Sequence, residues 1–455
     1  MRKKWISFLG VVCVLCLHAI PSSAGQLTLS DLYQMADSQS LVIRVAESEL
    51  VAANHGVQQA KNALLPSLSA DISGSYIGDA YLLSRGFSAS GTTDVILAGL
   101  GPQSVYNGRQ PTPHWGNNFS FQASQVIYAG GAILAGIEMA KVGERIAQLQ
   151  VDKSRQEVRL MLTGFYLDLV KLQNQLLVLD THIALTEEVL TMMRARHEAG
   201  TILSSDLTRH ELQLKQLQLS RVRLLDAQSI IQHQLQTTLH TNQLLVPDTM
   251  YLQQEYGRLE QSVAETYWQQ QAANGNLDLK QADAAGELAA QQVKAVRSAS
   301  IPKIALIIRD ELWGPYTNDL IPTNANVNAW FVGIGLHYDI DELWHNHRAI
   351  KKAKMEQQVA LDKAALAREA VDNQVHAAYT AFLTSFTEVD TQLKQQQLAD
   401  ETYDLVKKRY ENDLALLTDL LDASSTKLTA DLALVNARIG LIYNYYQLKY
   451  ITHSL

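Results

Sequence analysis

Four short segments of the chain alternate between apolar and polar residues with a period of two. They are residues 67–76, 118–128, 303–313 and 330–340. Such alternation over about ten residues, with aromatic residues near the ends, is typical of transmembrane β-strands. Two β-hairpins are therefore predicted. A patch of antiparallel sheet on a soluble α+β domain would produce the same pattern, because the pattern of a single strand is weak.

One face of each predicted strand is apolar, and its side chains are predicted to contact lipid. They are Leu68, Ile72, Tyr76, Phe119, Phe121, Ile304, Leu306, Trp330, Val332, Ile334 and Leu336. Four strands cannot close a barrel, and each unpaired backbone amide of an open edge costs several kcal/mol in lipid. Known membrane barrels begin at about eight strands. We therefore expect several copies of the chain to share one barrel.

Four long segments carry apolar residues mostly three and four positions apart, which predicts helices. They are residues 133–198, 204–241, 344–411 and 415–450. Nine prolines occur, yet none lies between Pro113 and Pro247 or after Pro322. Because an interior proline costs a helix about 3 kcal/mol, these gaps permit helices of about 100 Å. Apolar residues on two sides of a helix suit a wall of helices, but a solid antiparallel coiled coil fits equally well.

The predicted elements occur twice in the same order. A helix, a strand pair and a long helical hairpin are predicted over residues 27–244, and again over 263–455, with a linker at 245–262. The turn RHEAGTILSSDL, which begins at Arg196, is echoed by RYENDLALLTDL, which begins at Arg409. A repeat of about 200 residues indicates a duplicated domain, since solenoid repeats are about 20 to 50 residues long.

Residues 1–24 are predicted to be a secretory signal peptide. Three basic residues precede an apolar run, and small residues follow at 22–24. Removing Arg2, Lys3 and Lys4 changes the formal charge from -8 to -11, and an acidic exported chain is a poor candidate for binding nucleic acid. Both cysteines, Cys13 and Cys16, lie in the apolar run, so the mature chain is expected to lack disulfides and cysteine-ligated metals.

The sequence offers no residues for an enzyme. It contains no phosphate-binding loop, no HExxH and no GxSxG, and His345 and His347 lack a third ligand of known spacing, so no metal is expected. After residue 24 there is no apolar run of about 18 residues. If the chain spans a membrane, strands must therefore do so.

The residues around the second helical turn resemble a known family. Tyr410 is followed by Asp419-Leu420-Leu421-Asp422-Ala423 and then by Asn436-Ala437-Arg438. This order, together with the duplicated layout, resembles the TolC family of outer-membrane efflux proteins over nearly the whole mature chain. The first copy has the looser version that begins at Gly200.

The resemblance implies a mainly helical α+β fold and a homotrimer in the outer membrane of a Gram-negative bacterium. Each copy would supply four strands to a twelve-stranded transmembrane β-barrel, and its long helices to a twelve-helix α-barrel in the periplasm. Such channels conduct passively, have no catalytic residues or cofactors, and contact outer-membrane lipid. They work with a periplasmic adaptor protein and an inner-membrane pump of the RND or ABC type, in tripartite efflux or type I secretion.

The resemblance also implies roles for the two helical turns, which would close the periplasmic entrance and contact the adaptor. The adaptor contacts would be Gly200, Ser205, Asp206, Leu207, Asp413, Thr418 and Leu420. The gate would be Tyr410, Asp419 and Asp422, because carboxylates at i and i+3 share a helix face and would form a cation-attracting ring in a trimer. Without the resemblance, the simpler interpretation is that Asp419 caps its helix.

Two positions depart from the family pattern. Ala415 occupies a place where relatives often have a basic residue, and Asp413 replaces the turn glycine. The bonds that close the entrance are therefore expected to differ from those of the family.

Two other functions stay open at this point. The chain would be a periplasmic coiled-coil scaffold without a pore if the strands do not enter a membrane. It would be a surface binding protein if the Gly-, Ser-, Pro- and Asn-rich segment 78–116 carries the activity. The sequence does not identify a cargo, since the pump and adaptor select it.

Overall fold

The computed structural model describes most of the chain after residue 27. The described residues are 28–78, 80–81, 109–110, 113–247, 257, 259, 263–317, 322–323 and 325–455. The predicted signal peptide lies outside the described residues, as do most of the predicted linker and most of the segment 78–116.

Helices dominate the described residues. In chain order they are α1 (Leu29–Gln39), α2 (Leu41–Asn62), α3 (Ala132–Glu198), α4 (Ser204–Thr238), α5 (Glu265–Gly275), α6 (Leu277–Ser298), α7 (Glu342–Glu411) and α8 (Leu417–Ile451). The four long helices that proline spacing predicts are therefore α3, α4, α7 and α8, and each begins and ends within about three residues of the predicted bounds.

The strands form one main sheet and two short pairs. In chain order they are β1 (Ser67–Tyr76), β2 (Ala80–Tyr81), β3 (Arg109–Gln110), β4 (Trp115–Ala129), β5 (Lys303–Gly314), β6 (Tyr316–Thr317), β7 (Pro322–Thr323) and β8 (Val327–His337). The main sheet is antiparallel in the order β1-β4-β5-β8, while β2 pairs with β3 and β6 with β7. Within this sheet, β1 and β8 are the edge strands.

The last strand differs from its prediction. Residues 330–340 were expected to form it, but β8 starts at Val327 and ends at His337. The backbone turns immediately afterwards, since the N–H of Glu342 donates to Asp339 O at 3.2 Å and that of Leu343 to Ile340 O at 3.2 Å. Ile340 therefore lies in the turn before α7 and not in the strand. Its side chain is 61% exposed.

Three of the four pairs of corresponding helices in the two halves have equal lengths, and the longest helices, α3 and α7, have 67 and 70 residues. Both α1 and α5 have 11 residues, both α2 and α6 have 22, and both α4 and α8 have 35. In each half, one strand of the main sheet follows the 22-residue helix and the next precedes the longest helix. The order of elements that the sequence predicts is therefore present in each half.

The chain divides into two compact units. One contains the described residues up to Ala46 together with Val151–Leu277 and Glu369–Leu455. Its core packs α1 against α3, α4 and α8, and its fully buried side chains include Leu29, Leu162 and Leu239. Tyr33 reinforces this core, because its hydroxyl and that of Thr163 are hydrogen-bonded at 2.6 Å.

The other unit contains Glu47–Gln150 and Asp278–Arg368, and so the main sheet. Its turn between β4 and α3 needs glycine, since Gly130 and Gly131 have φ values of 62° and 89°. A Cβ on Gly130 would also lie 2.8 Å from Ile301 Cβ. Asn346, which is 4% exposed, ties the start of α7 to the end of α6 by donating to Val296 O at 2.8 Å.

Candidate functional site

The turns of the two long helical hairpins have the same backbone structure. We call residues 197–206 the first tip and residues 410–419 the second tip. Thr201 N–H donates to Arg196 O at 2.9 Å, and Leu414 N–H donates to Arg409 O at 2.8 Å. Each turn needs one residue in the left-handed region, which is Gly200 at φ 77° in the first.

Asp413 takes this left-handed position in the second tip, with φ 58°. Aspartate tolerates the conformation better than most residues, but left-handed backbone still costs a non-glycine residue roughly 1 kcal/mol. The replacement of the turn glycine therefore carries a cost in backbone energy. A contact of the side chain offsets that cost.

Arg196, the residue just before the first tip, provides the contact and joins the first hairpin to the second tip. Its Nη1 lies 2.8 Å from Asp413 Oδ1 and also donates to Tyr410 O at 3.4 Å, while Nη2 donates to Glu411 O at 2.7 Å. The Arg196 side chain is 22% exposed, whereas that of Asp413 is 84% exposed. A single guanidinium of the first hairpin thus holds the last turn of α7 and the second tip.

No sequence pattern singles out Arg196, although the first repeated turn begins at this residue. The expected basic residue of the second tip is absent, and its place, Ala415, is half-buried among apolar side chains. The positive charge beside the second tip is instead that of Arg196, which belongs to the first hairpin. Only the pairing of the hairpins in space reveals this exchange.

Tyr410 lies inside the joint between the tips. It is 6% exposed and packs in an apolar cluster with Met193, Leu417 and Leu420. The Arg196 guanidinium carbon lies 5.6 Å from the centroid of its ring, within the range of a cation–π contact. Burial raises the pKa of the Tyr410 phenol, although the positive charge of Arg196 acts in the opposite direction.

Leu420 belongs to the same cluster and is 2% exposed. Its side chain therefore supports the second tip from inside and is not exposed to a partner in this single chain. The other tip positions singled out in the sequence are exposed or half-buried. They are Gly200, Ser205, Asp206, Leu207, Asp413 and Thr418.

The two carboxylates at the start of α8 have different surroundings. Asp419 is the third residue of α8 and accepts a hydrogen bond at 3.0 Å from the backbone N–H of the N-cap residue, Leu416, so its side chain caps the start of the helix. Asp422 lies one turn later and is exposed. Because Asp419 is exposed as well, its capping bond leaves its charge available to solvent.

A buried polar network joins α3, α7 and α8 farther from the tips. His182 Nε2 lies 3.0 Å from Asp431 Oδ2, and their side chains are 3% and 14% exposed. Gln396 Nε2 donates to Asp431 Oδ1 at 3.0 Å, and Lys427 pairs with Asp400 beside it. Burial acts to raise the pKa of Asp431, but the hydrogen bonds from His182 and Gln396 outweigh it and lower the pKa.

The sheet brings the predicted lipid-facing residues onto one face. Leu68 pairs with Ala123, Ala123 with Ile308, and Ile308 with Val332. The rows through Ile72 and Phe119, Leu306 and Ile334, and Ile304 and Leu336 follow the same parity, because paired residues of neighbouring strands point to the same side. Asp310 is the charged exception on this face, and Asn328 Nδ2 donates to it at 3.0 Å.

Most of this apolar face is exposed in the single chain. The exposed fraction is 73% for Ile72, 73% for Trp330 and 72% for Ile334. Tyr76, Trp115 and His114 form an aromatic group beside it, with the Tyr76 and His114 rings stacked at 5.3 Å. A contiguous exposed apolar surface of this kind marks an interaction with lipid or protein.

None of the helices in the described residues is long and apolar enough to cross a membrane. Within the same residues, no three histidine, cysteine, aspartate or glutamate side chains come together as metal ligands would. His337 and His345 instead lie beside Asp339 and Asp341, at 3.0 Å and 3.6 Å.

Comparison with known proteins agrees with this geometry. The family model of the outer membrane efflux proteins matches residues 268–450. The outer membrane protein TolC of Salmonella enteritidis is 22% identical over 214 residues, which are 46% of this chain and 44% of that relative. The predicted resemblance to the TolC family is confirmed.

Solved structures of outer-membrane channels share the fold. CmeC of Campylobacter jejuni aligns with a TM-score of 0.72 and 15% identity over 94% of this chain and 85% of that one. VceC of Vibrio cholerae aligns with a TM-score of 0.70 and 14% identity over 93% of this chain and 95% of that one. The named relatives are outer-membrane proteins, as predicted for this chain, and the family is one of channels and not of enzymes.

Proposed function

We propose that this chain is the outer-membrane channel subunit of an export system and conducts its cargo passively. The observation that carries the proposal is the exposed apolar face of a four-stranded sheet whose two edge strands are β1 and β8. Neither feature suits a soluble monomer, because exposed apolar patches of more than a few hundred Å² and open sheet edges promote association.

The two edges support a shared barrel. A β1 edge and a β8 edge each offer backbone donors and acceptors, and lipid supplies no partner for them. Pairing β8 of one copy with β1 of the next satisfies both edges. Three copies give twelve strands, which is within the range of known membrane barrels and is the number that the family resemblance implies.

The equal helix lengths support an internal duplication. Corresponding helices of 11, 22 and 35 residues recur in the same order around the strand pairs. In a trimer, the two helical hairpins of each chain provide six similar coiled-coil hairpins around one axis. The helices would then form the periplasmic α-barrel that continues the membrane channel.

The tips would close the periplasmic end and contact an adaptor protein, which links the channel to an inner-membrane pump of the RND or ABC type. Arg196 would act as a latch between the hairpins in the closed state. It would replace the basic residue that relatives often have at the position of Ala415. The channel would serve tripartite efflux or type I secretion. No residue of the chain is assigned a catalytic or cofactor-binding role.

The central test is the assembly and conductance of the purified protein. In detergent, light scattering should give the mass of three chains, and the same preparation should form channels in planar lipid bilayers. A monomer that stays electrically silent would reject the proposal. If osmotic shock released the protein in soluble form, the poreless scaffold would become the better explanation.

The carboxylates at the start of α8 allow a test of the gate. Asp419→Asn with Asp422→Asn removes six charges from a trimer, while the amide oxygen at position 419 can still accept the capping bond from Leu416. We expect higher single-channel conductance and block by multivalent cations that is about tenfold weaker, which corresponds to about 1.4 kcal/mol of lost attraction. The matched control is Asp372→Asn with Asp390→Asn, two exposed acidic residues of α7. Equal block in both variants would contradict a gate at α8.

A further inference from the structure

A groove of about 400 Å³ lies where the main sheet joins the helices. Its walls are the turn between β4 and α3, with Gly130, the first turn of α3, with Leu134, and the last two turns of α6, with Lys294 and Arg297. The position follows directly from the chain, because β4 ends at Ala129 and β5 begins at Lys303. The groove therefore starts within a few residues of the last row of the apolar sheet face.

The charge of this groove is positive. Lys294 and Arg297 are both exposed, and no carboxylate in the described part of the chain forms an ion pair with either of them. Glu138 is the acidic residue of the groove, and Lys141 Nζ neutralises it at 2.6 Å. A positive groove is unusual on a chain whose formal net charge is -8.

The groove also has an apolar side. Leu134 is 65% exposed, and it follows Ile127 and Tyr128 of β4, which are 59% and 48% exposed. The row formed by Tyr128, Ile304 and Leu336 is the last paired row of the apolar face at this end. Exposed apolar surface thus continues from the sheet to the rim of a basic groove.

The start of α7 repeats this combination after β8. Leu343 and Trp344 are 55% and 60% exposed. The segment from Trp344 to Met355 contains four lysines and arginines and no acidic residue. Among the described residues, Lys351 and Lys354 have no ion-pair partner, whereas Lys352 lies 3.5 Å from Glu356. Two separate transitions from strand to helix therefore place exposed apolar residues next to unpaired cations.

We propose that this groove binds the headgroup phosphate of an anionic phospholipid in the periplasmic leaflet of the outer membrane. The acyl chains would lie along Leu134 and the apolar sheet face, while Lys294 and Arg297 bind the phosphate. Long basic side chains suit this depth, since their apolar stems contact hydrocarbon and their charged ends reach the headgroups. The inference rests on the proposed outer-membrane function.

Electrostatics favours anionic over zwitterionic lipid at such a site. Each lysine or arginine near an anionic membrane surface adds to the attraction, so removing two should weaken binding roughly ten- to thirtyfold. The two charges of one groove act on a single headgroup. Their loss should therefore change the affinity for one bound lipid in each subunit more than the overall adsorption of lipid.

The experiment compares lipid binding by the full-length protein and a charge variant in detergent. The variant is Lys294→Gln with Arg297→Gln, and the matched control is Arg209→Gln with Lys215→Gln, which removes two exposed cations of α4. Native mass spectrometry measures bound phosphatidylglycerol and phosphatidylcholine in each subunit. We expect the wild type and the control to prefer phosphatidylglycerol and the groove variant to lose this preference. Millimolar inorganic phosphate should not displace the bound phosphatidylglycerol.

Three outcomes would overturn the inference: no preference of the wild type for phosphatidylglycerol, unchanged affinity in the groove variant, or an equal loss in the control. Conductance in planar bilayers separates this result from the proposed function. Channels that conduct normally with an unchanged lipid preference in the groove variant reject the lipid site alone. A wild type that forms no channel rejects the proposed function, whatever lipid it binds in detergent.

Discussion

Replacing Arg196 with alanine is expected to shift the closed channel toward an open state. The change removes the ion pair with Asp413 and the hydrogen bonds to the carbonyl oxygens of Tyr410 and Glu411. Hydrogen bonds to charged groups contribute about 1.5 to 3 kcal/mol each, and the exposed ion pair adds less than about 1 kcal/mol. A loss of roughly 3 kcal/mol for each subunit changes the ratio of closed to open tips more than a hundredfold. Single-channel recordings should show a several-fold higher mean conductance.

Arg194→Ala is the matched control for this experiment. Arg194 is two residues away on the same helix, and its Nη2 lies 3.0 Å from Glu211 within the first hairpin. Both side chains are about half exposed, so this ion pair contributes little to stability. It lies within one hairpin and therefore does not join the two hairpins. If both variants conducted alike, or if Arg196→Ala conducted as the wild type does, the latch would be rejected.

Replacing Asp431 with alanine is expected to have the largest effect on stability. The variant leaves His182 buried at 3% exposure and removes an acceptor for Gln396. Removing one partner of a buried hydrogen bond costs about 1 to 3 kcal/mol for each polar group that is left unsatisfied, and here two groups lose their acceptor. Thermal unfolding should therefore occur several degrees lower in Asp431→Ala. Asp390→Ala, at an exposed position of α7, should unfold like the wild type.

The pH dependence of unfolding provides a second measurement on the same variant. The hydrogen bonds of the folded protein lower the pKa of Asp431 below the value of about 3.9 that is usual for an unfolded chain. The stabilisation is therefore present above about pH 4 and is lost as the pH falls through the lowered pKa. We expect the difference between wild type and Asp431→Ala to narrow below about pH 4. A constant difference down to strong acid would show that the carboxylate charge is not the cause.

The elements of the fold follow from local patterns in the sequence. Helices α3, α4, α7 and α8 are predicted because apolar spacing and the absence of proline act within each segment. The alternating face that contains Leu68 and Trp330 is predicted for the same reason, and the register of the sheet confirms that these residues share one side. The end of β8 is missed, because alternation continues into the turn before α7.

The contacts of the candidate site depend on which helices are neighbours, and no local pattern contains that information. Arg196 and Asp413 are 217 residues apart in the sequence, and His182 and Asp431 are 249 residues apart. A charged residue on a helix has the same local sequence pattern whether it is solvated or paired. The sequence thus suffices for the helices, the strands and their apolar faces, because these depend on neighbouring residues. The latch at the tips and the buried His182–Asp431 pair arise only when packing brings distant polar and charged groups within hydrogen-bonding distance and excludes water from them.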